Sequence, residues 1–337
     1  MIRLGLMGVG VVASYGHIPA IQRTPGLILK SLFEPDSGRL MEAKARFGVE
    51  HGFTDPDLFF RSGIDAVVVT SPAPAHLPNV EMAARYGKPV LCEKPLAMTE
   101  LESQRMIDVM RQANLPLYVG FTYRFSPSAL EIKRLVRERA IGDVRSLRLI
   151  YAWDCHGKCD RDGGMKSFNV RRQGRMDEGG PMVDCGVHQI DLARWWLGSE
   201  IVRATGVGAW VDAEHAAPDH MYLHLDHAAG QHTMVEISYA YGHTTRDARS
   251  QFLYELIGTA GMIRYDRNVG LFEVLDADGT RRLDYHEEKN FDGMYRAFEQ
   301  ALRTGRHGDL STADDGLTAT RIARTATEAA MAARVAR

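Results

Sequence analysis

Cysteine is scarce in this chain. Its four thiols, Cys92, Cys155, Cys159 and Cys185, are spread over 337 residues without the spacing of a disulfide framework. That excludes a small stapled secreted scaffold and suits a reducing cytoplasm, the location expected. An excess of one charge sign is also missing. Forty-one Lys and Arg against 43 Asp and Glu leave a formal charge of −2, so no global field draws the chain to nucleic acid or to an anionic membrane. No apolar run approaches the roughly 20 residues that span a bilayer. Leu4–Ala13 could pass for the apolar part of a signal peptide, but only Arg3 precedes it and its glycines are better explained by a turn. There is no internal repeat and no low-complexity linker. What is left is an ordinary globular composition, 45% apolar over 337 residues, enough to bury two cores.

The chain opens with a short apolar run, Met1–Met7, followed by Gly8-Val9-Gly10-Val11-Val12-Ala13 and a helix-compatible stretch to about Arg23. Gly-x-Gly-x-x-Ala between a strand and a helix is the dinucleotide-binding fingerprint. The first glycine makes the tight turn, the second lets backbone approach a pyrophosphate, and the helix N-terminus offers free N–H groups. A second strand, Leu27–Phe33, ends on Glu34, where an acid accepts hydrogen bonds from the adenosine ribose and repels a 2′-phosphate. NAD is therefore the expected cofactor. Arg39, nearby, leaves NADP open.

Strand-like and helix-like runs alternate to about Gly120. Helices are expected at Asp36–Phe47, His76–Tyr86 and Thr99–Gln112, with strands at Gly52–Phe53, Asp65–Val69, Pro89–Cys92 and Pro116–Val119. Alternation of this kind predicts a doubly wound parallel sheet, an α/β Rossmann domain over residues 1–122. Ligands of such sheets bind beyond the carboxyl ends of the strands, which places Thr70-Ser71-Pro72 and Glu93-Lys94-Pro95 on one crevice. The pattern then changes. Consecutive strand-like runs from Ile201 to Tyr285 predict a mainly antiparallel sheet, hence an α+β domain over residues 123–337.

Within that second part, Asp184 and His188 stand four apart in a predicted helix, Met182–Leu197, with Asp191 and Trp195 extending the stripe. A face of that composition makes a poor core and suits a wet cleft. An imidazole can exchange a proton near neutral pH, and Lys94 supplies a fixed positive charge for a developing alkoxide. The Asp154-Cys155-His156-Gly157-Lys158-Cys159-Asp160 segment lacks a second ligand pair, so a substrate-facing loop is expected there and no metal. His215, His220, His224, His227 and His232 read as scattered surface histidines.

Taken together, these residues resemble the Gfo/Idh/MocA family of sugar and cyclitol oxidoreductases. The resemblance rests on Gly8-x-Gly10-x-x-Ala13 with His17, Thr70 to His76, Glu93-Lys94-Pro95, Gly120 to Phe125, Gly179 to Asp191, and Ile257 to Gly261. It implies hydride transfer between a secondary alcohol of a sugar, sugar acid or cyclitol and nicotinamide, with Lys94, Asp184 and His188 as catalytic groups. His188 would be the general base, Lys94 the electrostatic anchor and Asp184 the orienter. The cofactor would meet Gly8, Val9, Gly10, Val11, Val12, Glu34, Ser71, Pro72, His76, Glu93, Lys94 and Thr122. The substrate would meet Tyr123, Arg124, Trp153, Arg171, Asp184 and His188. A cis bond before Pro95 is implied as well. Two positions depart from the family pattern, Pro181 in place of a third glycine and Thr122 in place of Asn. Two rivals share these motifs: a redox-neutral enzyme that retains its NAD(P), such as an aldose–aldose oxidoreductase or an oxidation–elimination glycosidase, and a non-catalytic NAD sensor. The open sheet of the second domain needs cover, so a homodimer or homotetramer is expected.

Overall fold

The computed structural model describes residues 1–155, 170–242, 245–247 and 249–335, with backbone alone for residues 170–172 and 335. They fall into two compact units, Met1–Phe125 with Lys289–Thr318, and Ser126–Glu288 with Ala319–Arg337. The division is not the simple one at residue 122 that the sequence suggests. The first unit runs to Phe125, and a late segment rejoins it. The reason lies in the Phe291–Thr304 helix, whose apolar face belongs to the first core. Met294, Tyr295, Phe298 and Ala301, with Leu310 beyond the helix, are buried in one cluster with Leu4, Leu6, Ile18 and Leu32.

The first unit is built on β1 (Ile2–Met7), β2 (Leu27–Phe33), β3 (His51–Phe53), β4 (Ala66–Val69), β5 (Val90–Cys92) and β6 (Leu117–Val119). They pair in parallel in the order β6-β5-β4-β1-β2-β3, and Ser311–Thr312 adds antiparallel to β6. Every residue of β4 and β5 is buried, as strands covered on both faces require. Chain order reverses between β1 and β4, the point where doubly wound sheets bind ligands. Helix starts follow the local chemistry. The Asp36 carboxylate accepts from Arg39 N (2.8 Å), and Thr99 and Glu102 form a reciprocal capping box. The sequence reading has no helix at Pro56–Phe60, where Asp55 caps Leu58 N at 3.0 Å.

The second unit carries β7 (Val144–Ala152), β8 (Ile201–Ala209), β9 (His220–His227), β10 (His232–Ser238), β11 (Gln251–Gly258), β12 (Gly261–Asp266), β13 (Leu271–Asp276) and β14 (Gly279–Arg282). Their order is β14-β13-β12-β11-β7-β10-β9-β8, antiparallel throughout except for β7 against β10. Side chains on alternate strand positions set the two faces. Leu147, Leu149, Val235, Ile237 and Leu256 are buried on one, beneath the Pro127–Arg137 and Val187–Leu197 helices. Trp196 Nε1 donates to Ala129 O at 2.9 Å and ties those helices together. On β8, a Cβ at Gly206 would lie 2.8 Å from the Ala326 methyl, so glycine lets the Ala313–Val335 helix sit against the strand.

The other face carries a cross-strand row of alternating charge, Arg148, Glu255, Arg264, Glu273 and Arg282. Arg148–Glu255 (3.3 Å) and Arg282–Glu273 (3.4 Å) are paired within it. The histidines on this sheet are less scattered than the sequence suggests. His224 Nδ1 meets His232 Nε2 at 3.1 Å, while His227 points into the core toward Ser199 O and Thr233 Oγ1.

Candidate functional site

In the first unit the strand ends converge. After five of the six parallel strands the first residue is still held by the neighbouring strand: Gly8 N to Phe33 O (2.8 Å), Glu34 N to Phe53 O (3.1 Å), Thr70 N to Met7 O (2.9 Å), Glu93 N to Val69 O (2.8 Å) and Gly120 N to Cys92 O (2.8 Å). Five loops therefore line one edge of the sheet. Gly8 has φ +96°, and a Cβ there would stand 2.7 Å from both Cα and N of Ser71. Gly10 has nothing within 4 Å of its Cβ position. The turn is thus tight on its inner side and open at its tip, and it fits a dinucleotide's pyrophosphate on the helix N-terminus.

Glu34 is 6% exposed, and its carboxylate gathers donors. It accepts from Val9 N (3.2 Å), Asp36 N (3.3 Å) and Arg39 Nη2 (2.9 Å). Arg39 is thus drawn onto Glu34 and is not held out for a 2′-phosphate. His76 is a brace between two loops. Its Nε2 lies 2.8 Å from Ser71 O, and its Nδ1 3.1 and 3.2 Å from Pro95 O and Leu96 O. Burial pushes its pKa down although these carbonyls favour the N–H form. Both ring nitrogens of His76 are thus engaged with backbone carbonyls of the two loops. The Lys94–Pro95 bond is cis, as the resemblance implies.

Glu93 sits within a buried network. His17 Nε2 lies 2.8 Å from Glu93 Oε1, and His17 Nδ1 lies 2.7 Å from the Tyr295 hydroxyl. The other carboxylate oxygen, Oε2, accepts from Lys94 N at 3.0 Å. Thr122, Tyr123 and Arg124 share a buried single turn, Thr122–Phe125. Arg124 pairs with Asp315 at 3.3 Å within the same unit, which gives its guanidinium a structural partner.

The second unit places Asp184 and His188 in succession, but not on one regular helix. Met182–Gly186 is a π-turn, and the α-helix begins at Val187. Wider turns of this kind recur at functional sites. Asp184 (8%), His188 (6%) and Asp191 (0%) are more buried than a stripe bordering an open cleft requires. Asp184 is held from several sides. Arg175 Nε lies 3.3 Å from Oδ2, the Tyr239 hydroxyl donates to the same oxygen, and Cys185 Sγ is 3.7 Å away. Burial, with the Asp184 charge beside it, pushes the Tyr239 phenol well above its usual range, so it remains a donor. Burial opposes the Arg175 charge, but Asp184 and its neighbours outweigh this and raise the pKa.

Trp153, one residue past β7, stacks on Tyr151 and meets Tyr239 edge-on at 5.7 Å. Its indole Nε1 is a buried donor with no acceptor among the described residues. Arg171 belongs by its backbone to the Val170–Asp177 helix, and its side chain lies outside the described residues. So do residues 156–160 of the Cys-His segment. Cys155 itself is buried with its sulfur 3.6 Å from Arg175 Nη1. Among the described residues no group of three or more His, Cys, Asp or Glu could hold a metal ion, and no helix is long and apolar enough to cross a membrane.

Sequence reasoning missed Arg175, Tyr239 and Tyr295. Arg175 stands one helical turn beyond Arg171, a spacing that was readable. Tyr239 and Tyr295 carry no local signal, since only tertiary folding brings them to Asp184 and His17 respectively.

Comparison with known proteins adds to this geometry. Residues 2–121 match the family model described as an oxidoreductase family with an NAD-binding Rossmann fold, and residues 129–264 match the GFO/IDH/MocA C-terminal domain. The chain is 28% identical over 272 residues to scyllo-inositol 2-dehydrogenase (NAD(+)) of Bacillus subtilis, covering 78% of this chain and 73% of that protein. It is 33% identical over 205 residues to inositol 2-dehydrogenase 2 of Saccharopolyspora erythraea, where the match spans 60% of this chain and only 56% of the relative. To D-apiose dehydrogenase of Paraburkholderia graminis it is 28% identical over 280 residues, 82% of this chain and 70% of the relative. Among solved structures, an aldose-aldose oxidoreductase from Caulobacter crescentus superposes with a TM-score of 0.84 at 22% identity, covering 100% of this chain and 98% of that one, a likeness of fold. Apo scyllo-inositol dehydrogenase from Lactobacillus casei does so with a TM-score of 0.76 at 25% identity, covering 98% and 96%.

Proposed function

This chain belongs to the Gfo/Idh/MocA family of NAD-dependent oxidoreductases, and from that premise we propose that it oxidises a secondary alcohol of a cyclitol or sugar, sugar acids included. The observation that carries the proposal is Asp184, a buried carboxylate fixed by Arg175 and Tyr239 one turn before His188. A carboxylate so held is an acceptor set for a substrate hydroxyl. Bound NAD supplies the hydride acceptor. His188 takes the hydroxyl proton as general base while the carbinol hydrogen leaves with its electron pair, so the alcohol becomes a ketone. The Lys94 ammonium stabilises the negative charge that develops on the oxygen. Trp153 Nε1, a buried donor in want of an acceptor, serves a second substrate oxygen. The inositol and apiose dehydrogenases among its relatives favour polyhydroxylated rings. Screening cyclitols, sugars and sugar acids for NAD reduction, with NADP in parallel, tests the reading. A chain that binds NAD and reduces it with none of them would point instead to a sensor.

Glu34 sets cofactor choice in this reading. Glu34→Ser removes the carboxylate that repels a 2′-phosphate and releases Arg39, whose guanidinium already lies beside it. NAD affinity is expected to fall about tenfold and NADP affinity to rise, the scale of one charged hydrogen bond lost or gained. Titration of both cofactors checks this. Wild type preferring NADP would defeat the argument.

A second copy of the chain is the proposed cover for the outer face of the second unit's sheet. Alternating charges across five strands can meet their opposites on an identical surface, and Ile257 and Tyr222 are exposed there at 50% and 39%. Ile257→Glu is expected to yield smaller particles by light scattering. A wild-type mass of one chain would dispose of the idea.

A further inference from the structure

We propose that His17 and Tyr295 are positioning residues for Lys94, acting through Glu93; the inference rests on the reading of Lys94 as the charge that stabilises the alkoxide. Four groups form one line. They come from three separate places in the chain: the first helix, the loop after β5, and the Phe291–Thr304 helix. The distances are 2.7 Å from Tyr295 Oη to His17 Nδ1, 2.8 Å from His17 Nε2 to Glu93 Oε1, and 3.0 Å from Lys94 N to Glu93 Oε2.

The direction of the hydrogen bonds follows from the chemistry. With Glu93 accepting as a carboxylate, His17 Nε2 donates to it, and in the neutral tautomer this selects, the Nδ1 lone pair is the acceptor that faces Tyr295. Burial, with the Glu93 charge adding to it, pushes the Tyr295 phenol well above its usual value, so its O–H is retained and donates to that lone pair. Each bond thereby fixes the next. The tyrosine fixes the tautomer, the imidazole fixes the carboxylate, and the carboxylate fixes the backbone N–H of Lys94.

The environment shows that this is a built arrangement. His17 is 1% exposed and Tyr295 0%. Phe291 packs edge-on against the imidazole at 5.0 Å, and its ring stands 2.5 Å from where a Cβ at Gly16 would be. His17 closes the π-turn Ala13–His17. The two residues that follow Lys94 are reached by His76, whose Nδ1 lies within hydrogen-bond distance of Pro95 O and Leu96 O. Lys94 is thus held at its own N–H, and the two residues after it at their carbonyls. Placement errors of an ångström cost orders of magnitude in rate, so such bracing has a purpose at a reacting centre and little elsewhere.

The test uses the full chain with Tyr295→Phe, His17→Gln and His17→Ala. Gln keeps a donor toward Glu93 but cannot reproduce the imidazole's second contact. The expected order of kcat is wild type, then Tyr295→Phe and His17→Gln reduced about fivefold to twentyfold, then His17→Ala reduced about a hundredfold, in line with one and two lost hydrogen bonds. Substrate KM and NAD affinity should stay within about twofold, and the melting curves of Tyr295→Phe and His17→Gln should stay cooperative. A second readout needs no turnover. With selective ¹⁵N-lysine labelling, and the Lys94 resonance assigned by its loss in Lys94→Arg, the Lys94 amide shift should move in all three variants. An unmoved Lys94 amide, or kcat within twofold of wild type in His17→Ala, overturns the proposal. A moved amide in a chain that turns over no alcohol overturns the dehydrogenase reading while leaving the bracing of Lys94 in place. A fall in NAD affinity as large as the fall in kcat would assign the network to cofactor binding and overturn it as well.

Discussion

Lys94→Ala and His188→Ala are each expected to lower kcat by roughly 10²–10⁴ while NAD still binds, the usual worth of a positioned acid–base or charge-stabilising group. The two should differ in character. On the proposed roles, loss of His188 removes the proton acceptor, so added small bases such as imidazole should recover part of the rate. On the same proposal, loss of Lys94 removes a fixed ammonium charge, which added imidazole does not replace. Lys94→Arg is not a conservative rescue, because a planar guanidinium does not occupy the place of a compact ammonium. Steady-state turnover with NAD titration in parallel reads both. Near-normal turnover in both alanine variants would sink the assignment and leave the fold untouched.

Gly8→Ala should abolish measurable NAD binding. The φ of +96° is one that residues with a Cβ rarely adopt, and the added methyl would meet Ser71 Cα and N at 2.7 Å. The strain alone costs about 1–3 kcal/mol. The clash is with backbone, which cannot swing aside as a side chain can. The loop that must yield is the one following β4, on the edge proposed to take the cofactor. A loss of at least about a hundredfold in NAD affinity is therefore expected, 1.4 kcal/mol being a factor of ten. Gly48→Ala is the control. It also has a positive φ, +63°, but nothing lies within 4 Å of its Cβ position. It should cost about 1 kcal/mol of stability and leave NAD affinity unchanged. Equal NAD binding in Gly8→Ala and wild type would refute the turn's role.

Much of this was legible in the sequence, for reasons that also explain what was not. Alternation and short apolar runs give the parallel sheet directly, since β4 and β5 are buried on both faces and read as unbroken hydrophobic segments. The glycine turn and Glu34 are legible because their spacing is fixed by the strand and helix between them. The π-turn before His188 is not. One residue of extra width leaves no compositional trace, so Asp184 and His188 read as an ordinary helical pair. Arg175 does not stand out, because a charged, glycine-rich stretch hides the short helix that carries it. His17 stood out as a motif residue, but its partner Tyr295 is 278 positions away, and no local pattern links them. The Phe291–Thr304 helix shows an apolar face in sequence. Which of two cores that face belongs to is settled only by packing.

That last helix has a consequence for how the molecule is made. On the ribosome the first 125 residues emerge as a sheet with its glycine turn, yet the side chains that complete its core, from Met294 to Leu310, are still to be synthesised. At about 5–20 residues per second the gap lasts on the order of ten seconds or more. Throughout that interval the nascent nucleotide-binding half shows water an apolar surface that only its own late sequence can close. Synthesis that stops short of the Phe291–Thr304 helix therefore leaves the early half defective, and a gene split at the apparent domain border yields two incomplete pieces.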